Sequence, residues 1–287
     1  MSQVILRHSG RSAKRVRSPL ALASLLTFAF LSPALVGEEK EPTGPPGQLA
    51  EGLPGWTLTF EDRFEGERLD YEKWTPQDPW GVERNEELQG YVLHAFHLED
   101  GILKIRCDRK PSFYDGKRRD FRSGMMTTTR KFSQRYGRFE IRCRVPAGRG
   151  LWPAFWLLPE PPAWPPEIDV LEILGEEPDR VYFSHHWPHP QRPTEDSRAI
   201  TGEFKGPDFS ADFHTFAVEW EAEELRWYVD GVLRHRSDRE IPQVPMFLLA
   251  NLAVGGWAAE PDESTPFPAD FEIDFIRVWK KSEESSH

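Results

Sequence analysis

Three carboxylates stand close together in an otherwise apolar run, Glu167-Ile168-Asp169-Val170-Leu171-Glu172. In a regular β-strand side chains alternate between faces, so Glu167 and Asp169 share one face and Glu172 takes the other. A β-bulge near Val170-Leu171 would insert one extra residue and bring Glu172 round to join them. Three acids that close repel one another, and at least one then holds its proton well above the usual carboxylate range. A pair of carboxyls about 5–5.5 Å apart, one a nucleophile and one an acid/base, is the requirement for retaining glycoside hydrolysis. The competing reading is a solvated face on an edge strand. It fits poorly, because Ile168, Val170 and Leu171 lie between the acids and Ile173-Leu174 follow them, as in a buried strand.

Such a strand must be held in a sheet, and the sequence supplies one. From Trp56 onward, period-two runs are broken by turn residues. Trp56 to Phe60, Ile102 to Cys107 and Arg138 to Val145 alternate in this way, as do Phe213 to Trp220, Leu225 to Val229 and Val232 to Arg236. Asp230-Gly231 joins the last two and predicts a tight hairpin. Met246 to Asn251 and Phe271 to Trp279 complete the set, and no run reads as three helical turns. The 26 prolines fall between the runs, as strands require. Many short strands at regular spacing predict an all-β sandwich or barrel, and one sandwich can use all of residues 55–281.

Composition narrows the partners. A net charge of −11 argues against nucleic acid. Eleven tryptophans divide between a large core and flat apolar platforms on which a pyranose ring can stack. The two cysteines, Cys107 and Cys143, either pair across a sheet or remain as buried thiols. No metal-ligand spacing is present.

The N-terminal segment reads as an address. Arg7, Arg11, Lys14, Arg15 and Arg17 come before any acid, and an apolar run from Leu20 to Leu31 and then small residues follow. Basic, then apolar for about a dozen residues, then small is the pattern of a secretory signal, too short for a comfortable membrane span. The expected division is a signal at 1–37, a flexible leader at 38–54, a catalytic domain at 55–281 and a tail at 282–287. The expected location is secreted or periplasmic, with no membrane attachment after cleavage and a monomeric state.

Several stretches together resemble glycoside hydrolase family 16, in particular its laminarinase-like members. They are Tyr136-Gly137-Arg138-Phe139-Glu140, Trp152-Pro153-Ala154-Phe155-Trp156-Leu157-Leu158-Pro159, and Glu167 to Glu172. Glu87-Leu88-Gln89, Trp227 to Gly231, Asn251 to Trp257 and Ile273 to Trp279 support them. The resemblance implies a β-jelly roll of two curved antiparallel sheets with a concave substrate cleft, acting on β-1,3- or mixed β-1,3/1,4-glucan. It implies Glu167 as nucleophile, Glu172 as acid/base and Asp169 as the residue that holds Glu167. It also implies Trp152, Trp156, His186, Glu87, Gln89, Asn251 and Trp257 as sugar contacts, with no cofactor.

The sequence departs from the family pattern in places. Arg63 stands where the family carries a Glu that binds a structural calcium together with an Asp, matched here by Asp274. That puts the calcium in doubt and predicts an Arg63–Asp274 ion pair in its place. Pro166 replaces the usual Gly before the first Glu, and Glu86 replaces an Asn. A basic group, Lys117, Arg118, Arg119, Arg122, Arg130 and Lys131, is either a solvated loop or a contact for an anionic glycan. The second case keeps open a galactanase of the agarase, porphyranase or carrageenase kind. A non-catalytic glucan-binding protein and a transglycosylase are compatible with the same fold.

Overall fold

The computed structural model describes residues 52–282, apart from the side chains of residues 194–196. The expected signal, all but the last three residues of the leader, and the tail after Ser282 lie outside the described residues. The first strands are β1 (Trp56–Asp62), β2 (Gln89–Tyr91), β3 (Phe96–Glu99), β4 (Ile102–Cys107), β5 (Ser112–Tyr114) and β6 (Lys117–Arg119). Next come β7 (Phe121–Ser123), β8 (Met125–Thr127), β9 (Gly137–Arg144), β10 (Leu151–Pro159), β11 (Glu167–Ile173) and β12 (Arg180–His189). The last are β13 (Arg192–Lys205), β14 (His214–Trp220), β15 (Leu225–Val229), β16 (Val232–Ser237), β17 (Met246–Val254) and β18 (Ala269–Lys281). One short 3₁₀ turn, Leu93–Ala95, is the helical element among the described residues.

Two antiparallel sheets form a jelly-roll sandwich. One runs β16-β15-β14-β9-β18-β4-β3, with β1 also paired to β18. The other has six strands in the order β13-β12-β11-β10-β17-β8. The period-two pattern explains why they stack. Leu103, Ile105 and Cys107 of β4 and Phe139, Ile141 and Cys143 of β9 face Phe155, Leu157, Ile168 and Ile173 across one core. Asp230 and Gly231 both have positive φ, 49° and 77°, and close the β15–β16 hairpin as expected. Cys107 and Cys143 are both free and buried, and burial pushes the Cys107 thiol up to about 12.

The six-stranded sheet has a second, open face. Along β10 it shows Trp152, Ala154, Trp156 and Leu158; along β17, Phe247, Leu249, Asn251 and Ala253. Two small apolar groups lie on this face, apart from the main core. Met125, Leu158, Phe247 and Leu249 gather with Tyr91, Trp156 and Trp164. Trp152, Leu174, Ala253 and Ala258 gather with Tyr182 and Trp257. β11, with its three acids, pairs directly with β10 in the same sheet.

Candidate active site

The expected bulge is present. Against β10, Trp156 pairs with Asp169 but Phe155 pairs with Leu171, so Val170 is an extra residue. Against β12 the register breaks between Asp169 and Glu172. Val170 and Leu171 are both completely buried in the core, which uses up the additional residue. Glu167, Asp169 and Glu172 therefore share the open face.

Glu167 and Glu172 each accept an indole N–H, and Asp169 lies beside His186. Trp164 Nε1 donates to Glu167 Oε2 at 3.1 Å. Trp152 Nε1 donates to Glu172 Oε1 at 3.1 Å. His186 pairs with Glu167 across the β11–β12 ladder. Its Nε2 lies 3.4 Å from Glu167 Oε1 and 3.4 Å from Asp169 Oδ2. The donor atoms of Glu167, Asp169 and His186 all fall within 4.8 Å of one another, so this trio could hold a cation.

Burial and mutual repulsion raise both glutamates. Burial, then the Asp169 charge, lifts Glu167 to about 8, opposed by His186, Arg84 and the Trp164 hydrogen bond. Glu172 is raised well above the usual range by burial, then by Asp169 and Glu167. Two cations oppose the rise at Glu167. At Glu172 His186 is the cation that does so, and two anions work against it. Glu167 is thus the group that ionises first and Glu172 the one that keeps a proton. His186 loses through burial, but Glu167, Asp169 and Glu172 outweigh that and raise it to about 9.

The remaining expected contacts divide into two kinds. Trp156 Nε1 donates to Asn251 Oδ1 at 2.8 Å, and Asn251 Nδ2 donates to Tyr91 Oη at 3.3 Å. Trp257 packs edge-on to Trp152, with ring centroids 5.7 Å apart, and against Tyr182 at 4.8 Å. These residues border the carboxylates. Glu87 and Gln89 sit deeper. Glu87 accepts from Gln89 at 2.6 Å, Tyr91 at 3.1 Å and Asn85 at 3.3 Å. Gln89 is only 2% exposed, and its Oε1 accepts the Val254 N–H at 2.8 Å. Gln89 is therefore a strut beneath the face rather than a group presented to a ligand. Sequence reasoning passed over Trp164, Arg84 and Tyr91. Trp164 carries a signal, a ring donor three residues before Glu167, but its direction depends on how the proline-rich loop folds.

A second expectation is overturned. Arg63 does not pair with Asp274; its Nε lies 3.5 Å from Glu61. Asp274 pairs with Arg142, and Glu61 accepts from Arg277 at 2.7 Å. Strand register is the reason. β1 sets Glu61 opposite Arg277, and a bulge in β18 between Ile273 and Phe275 leaves Asp274 beside Arg142. Guanidinium groups around these acids do not suit a calcium ion. Five of the six side chains of the basic group have partners within the protein. Lys117 and Arg119 pair with Glu83, Arg118 with Asp120 and Arg122 with Asp108. Lys131 donates to backbone carbonyls of Tyr71 and Trp74.

Residues 92–277 match the sequence model of glycosyl hydrolases family 16. The chain belongs to glycosyl hydrolases family 16. Among its relatives is a β-glucanase of Rhodothermus marinus, 35% identical, with 80% of this chain and 87% of that protein covered. Another is the endo-1,3-1,4-β-glycanase EglC of Rhizobium meliloti (strain 1021), 34% identical over 78% of this chain. The match spans about half of that protein's length, 51%. Among solved structures in the family, the catalytic domain of an endo-1,3-β-glucanase (laminarinase) from Thermotoga petrophila RKU-1 superposes with a TM-score of 0.70. It is 34% identical, with 79% of this chain and 99% of that one covered.

Proposed function

We propose that this family 16 protein is a retaining endo-hydrolase of β-1,3- or mixed β-1,3/1,4-glucan. The observation that carries this is the bulge: it delivers two glutamates of unequal acidity to one face, each fixed by an indole donor. The names of the Rhodothermus, Rhizobium and Thermotoga relatives support the substrate class.

Glu167, the more readily ionised, attacks the anomeric carbon, and Glu172 gives its proton to the leaving glycosidic oxygen. The glycosyl-enzyme ester removes the Glu167 charge, which makes Glu172 a stronger acid and so able, as carboxylate, to take a proton from the incoming water. Asp169 and the His186 cation hold Glu167 in position. Trp152 aims Glu172, and Trp156, Asn251 and Trp257 border the sugar path. A galactanase acting on a sulfated chain loses support, because four of the six basic residues that suggested it are paired with the protein's own acids. Secretion as a monomer is part of this reading, and the basic, apolar, small order of residues 1–37 supports the export.

The test is release of reducing ends from laminarin, lichenan, agarose and κ-carrageenan by the wild type and by Glu167→Gln. The expected result is turnover of laminarin or lichenan that disappears in the variant. Turnover confined to a galactan would reject the substrate class; an unimpaired variant would reject the site.

A further inference from the structure

The bulge has a support on its hidden side. The Asp169 carbonyl oxygen accepts the Nε1–H of Trp227 at 2.8 Å. Trp227 lies on β15, in the opposite sheet, and is fully buried. The peptide after Asp169 sits where both flanking ladders lose register. A buried carbonyl at such a break needs a donor from elsewhere, or it costs the strand its conformation. We propose that Trp227 is a positioning residue for the catalytic pair: its indole N–H, reaching across from the eight-stranded sheet, holds the bulge that brings Glu167 and Glu172 to one face.

The indole is itself held. Its ring centroid lies 5.2 Å from His235, 6.3 Å from Phe183 and 6.4 Å from His185. His185 Nε2 is fixed 2.6 Å from the Arg239 carbonyl oxygen. His235 occupies room that Gly202 leaves open, since a Cβ there would come within 2.4 Å of His235 Nδ1. Burial lowers both histidines, so this ring set is neutral and adds no charge behind the acids. The inference rests on the reading of Glu167 and Glu172 as the reacting pair, and it places part of the catalytic geometry in the other sheet.

The protein contains a matched control. Trp220, on β14 of the same sheet, is also fully buried and donates Nε1–H to a backbone carbonyl, that of Pro242, at 3.0 Å. Trp227→Phe and Trp220→Phe thus lose the same kind of bond, and both should lower Tm by on the order of 5 °C. Only Trp227→Phe should lower kcat, by roughly 10- to 100-fold with KM within about threefold, because reacting groups are misplaced while the sugar path is intact. Its basic limb of kcat/KM should also move to lower pH, since Glu172 would sit farther from the charges of Glu167 and Asp169 that keep it protonated. A Trp227→Phe enzyme that matches Trp220→Phe in kcat and pH profile overturns the proposal. If Trp227→Phe fails to fold, incorporation of β-(3-benzothienyl)alanine at position 227, which keeps the fused ring and its volume but replaces the N–H with sulfur, repeats the comparison, and a wild-type kcat there overturns it. Glu167→Gln belongs in the same assay. Full activity there would defeat the underlying reading, whereas an inactive Glu167→Gln beside a Trp227→Phe that tracks Trp220→Phe would defeat this inference alone.

Discussion

Two groups of acids, one on each sheet, are treated in opposite ways. On the outer face of the eight-stranded sheet, Arg138 donates to Glu140 at 2.9 and 3.0 Å and to Glu219 at 3.1 Å. Arg226 bridges Glu219, Glu221 and Glu224, and Lys281 and Arg236 complete the balance. Four carboxylates there meet four permanent cations. On the open face of the six-stranded sheet, Glu167, Asp169 and Glu172 share one histidine and two indole N–H groups. Hydrogen bonds from Lys281 help hold Glu221 below its ordinary value, while Glu167 and Glu172 are pushed up. Acids matched by guanidinium groups lock a sheet together. Acids left under-compensated keep protons they can trade.

The sharpest way to break this contrast is to neutralise one acid of each group. Glu172→Gln should lose roughly 10²- to 10⁴-fold in kcat on laminarin or lichenan. Glu140→Gln should leave kcat within about twofold but cost about 3 kcal/mol in chemical denaturation, because it strips a partner from the buried Arg138. Comparable loss of activity in both would end the distinction.

The next effect concerns stability. Glu172 has a folded-state pKa above its unfolded value, so at low pH it is protonated in both states and neutral in effect. As pH rises past about 4.5 the unfolded chain ionises first, and folding becomes progressively costlier until the folded pKa is passed. Glu172→Gln should therefore be more stable than wild type at pH 7.5 in chemical denaturation, with the margin shrinking to nearly nothing at pH 4. The opposite ordering would mean that Glu172 is a compensated acid like those of the outer sheet.

His186→Gln gives a smaller effect. It removes a charge that favours ionised Glu167, so the acid limb of kcat/KM should move to higher pH. A shift downward would remove His186 from the electrostatics of the site. Smallest of all is Arg118→Ala. That exposed pair with Asp120 should change stability by less than about 0.5 kcal/mol, and KM for laminarin should not change.

Much of this was legible in the residues. Glu167-Ile168-Asp169-Val170-Leu171-Glu172 cannot place its acids together and bury its aliphatics without an irregularity, so the bulge follows from the pattern. The alternation from Trp56 onward gives eight of the eighteen strands, β1, β4, β9 and β14 to β18. β13 escapes the alternation, because Arg192 to Lys205 is largely polar in sequence and is placed by its ladder with β12. The Arg63–Asp274 pair failed because charge pairing across strands follows register, and register depends on bulges remote from either residue. Trp164 and Trp227 escaped for a related reason. Where an indole N–H points is decided by tertiary packing, and no local spacing encodes it.

β18 pairs with β1, β4 and β9 and so lies in the middle of its sheet, although it follows every other strand in chain order. Its partner β1 begins more than 200 residues upstream, with Trp56 opposite Lys281. Contacts so distant along the chain form slowly and leave unpaired edges exposed meanwhile. Refolding should accordingly be sluggish and aggregation-prone, with the eight-stranded sheet governing when the sheet that holds the three acids can close over it.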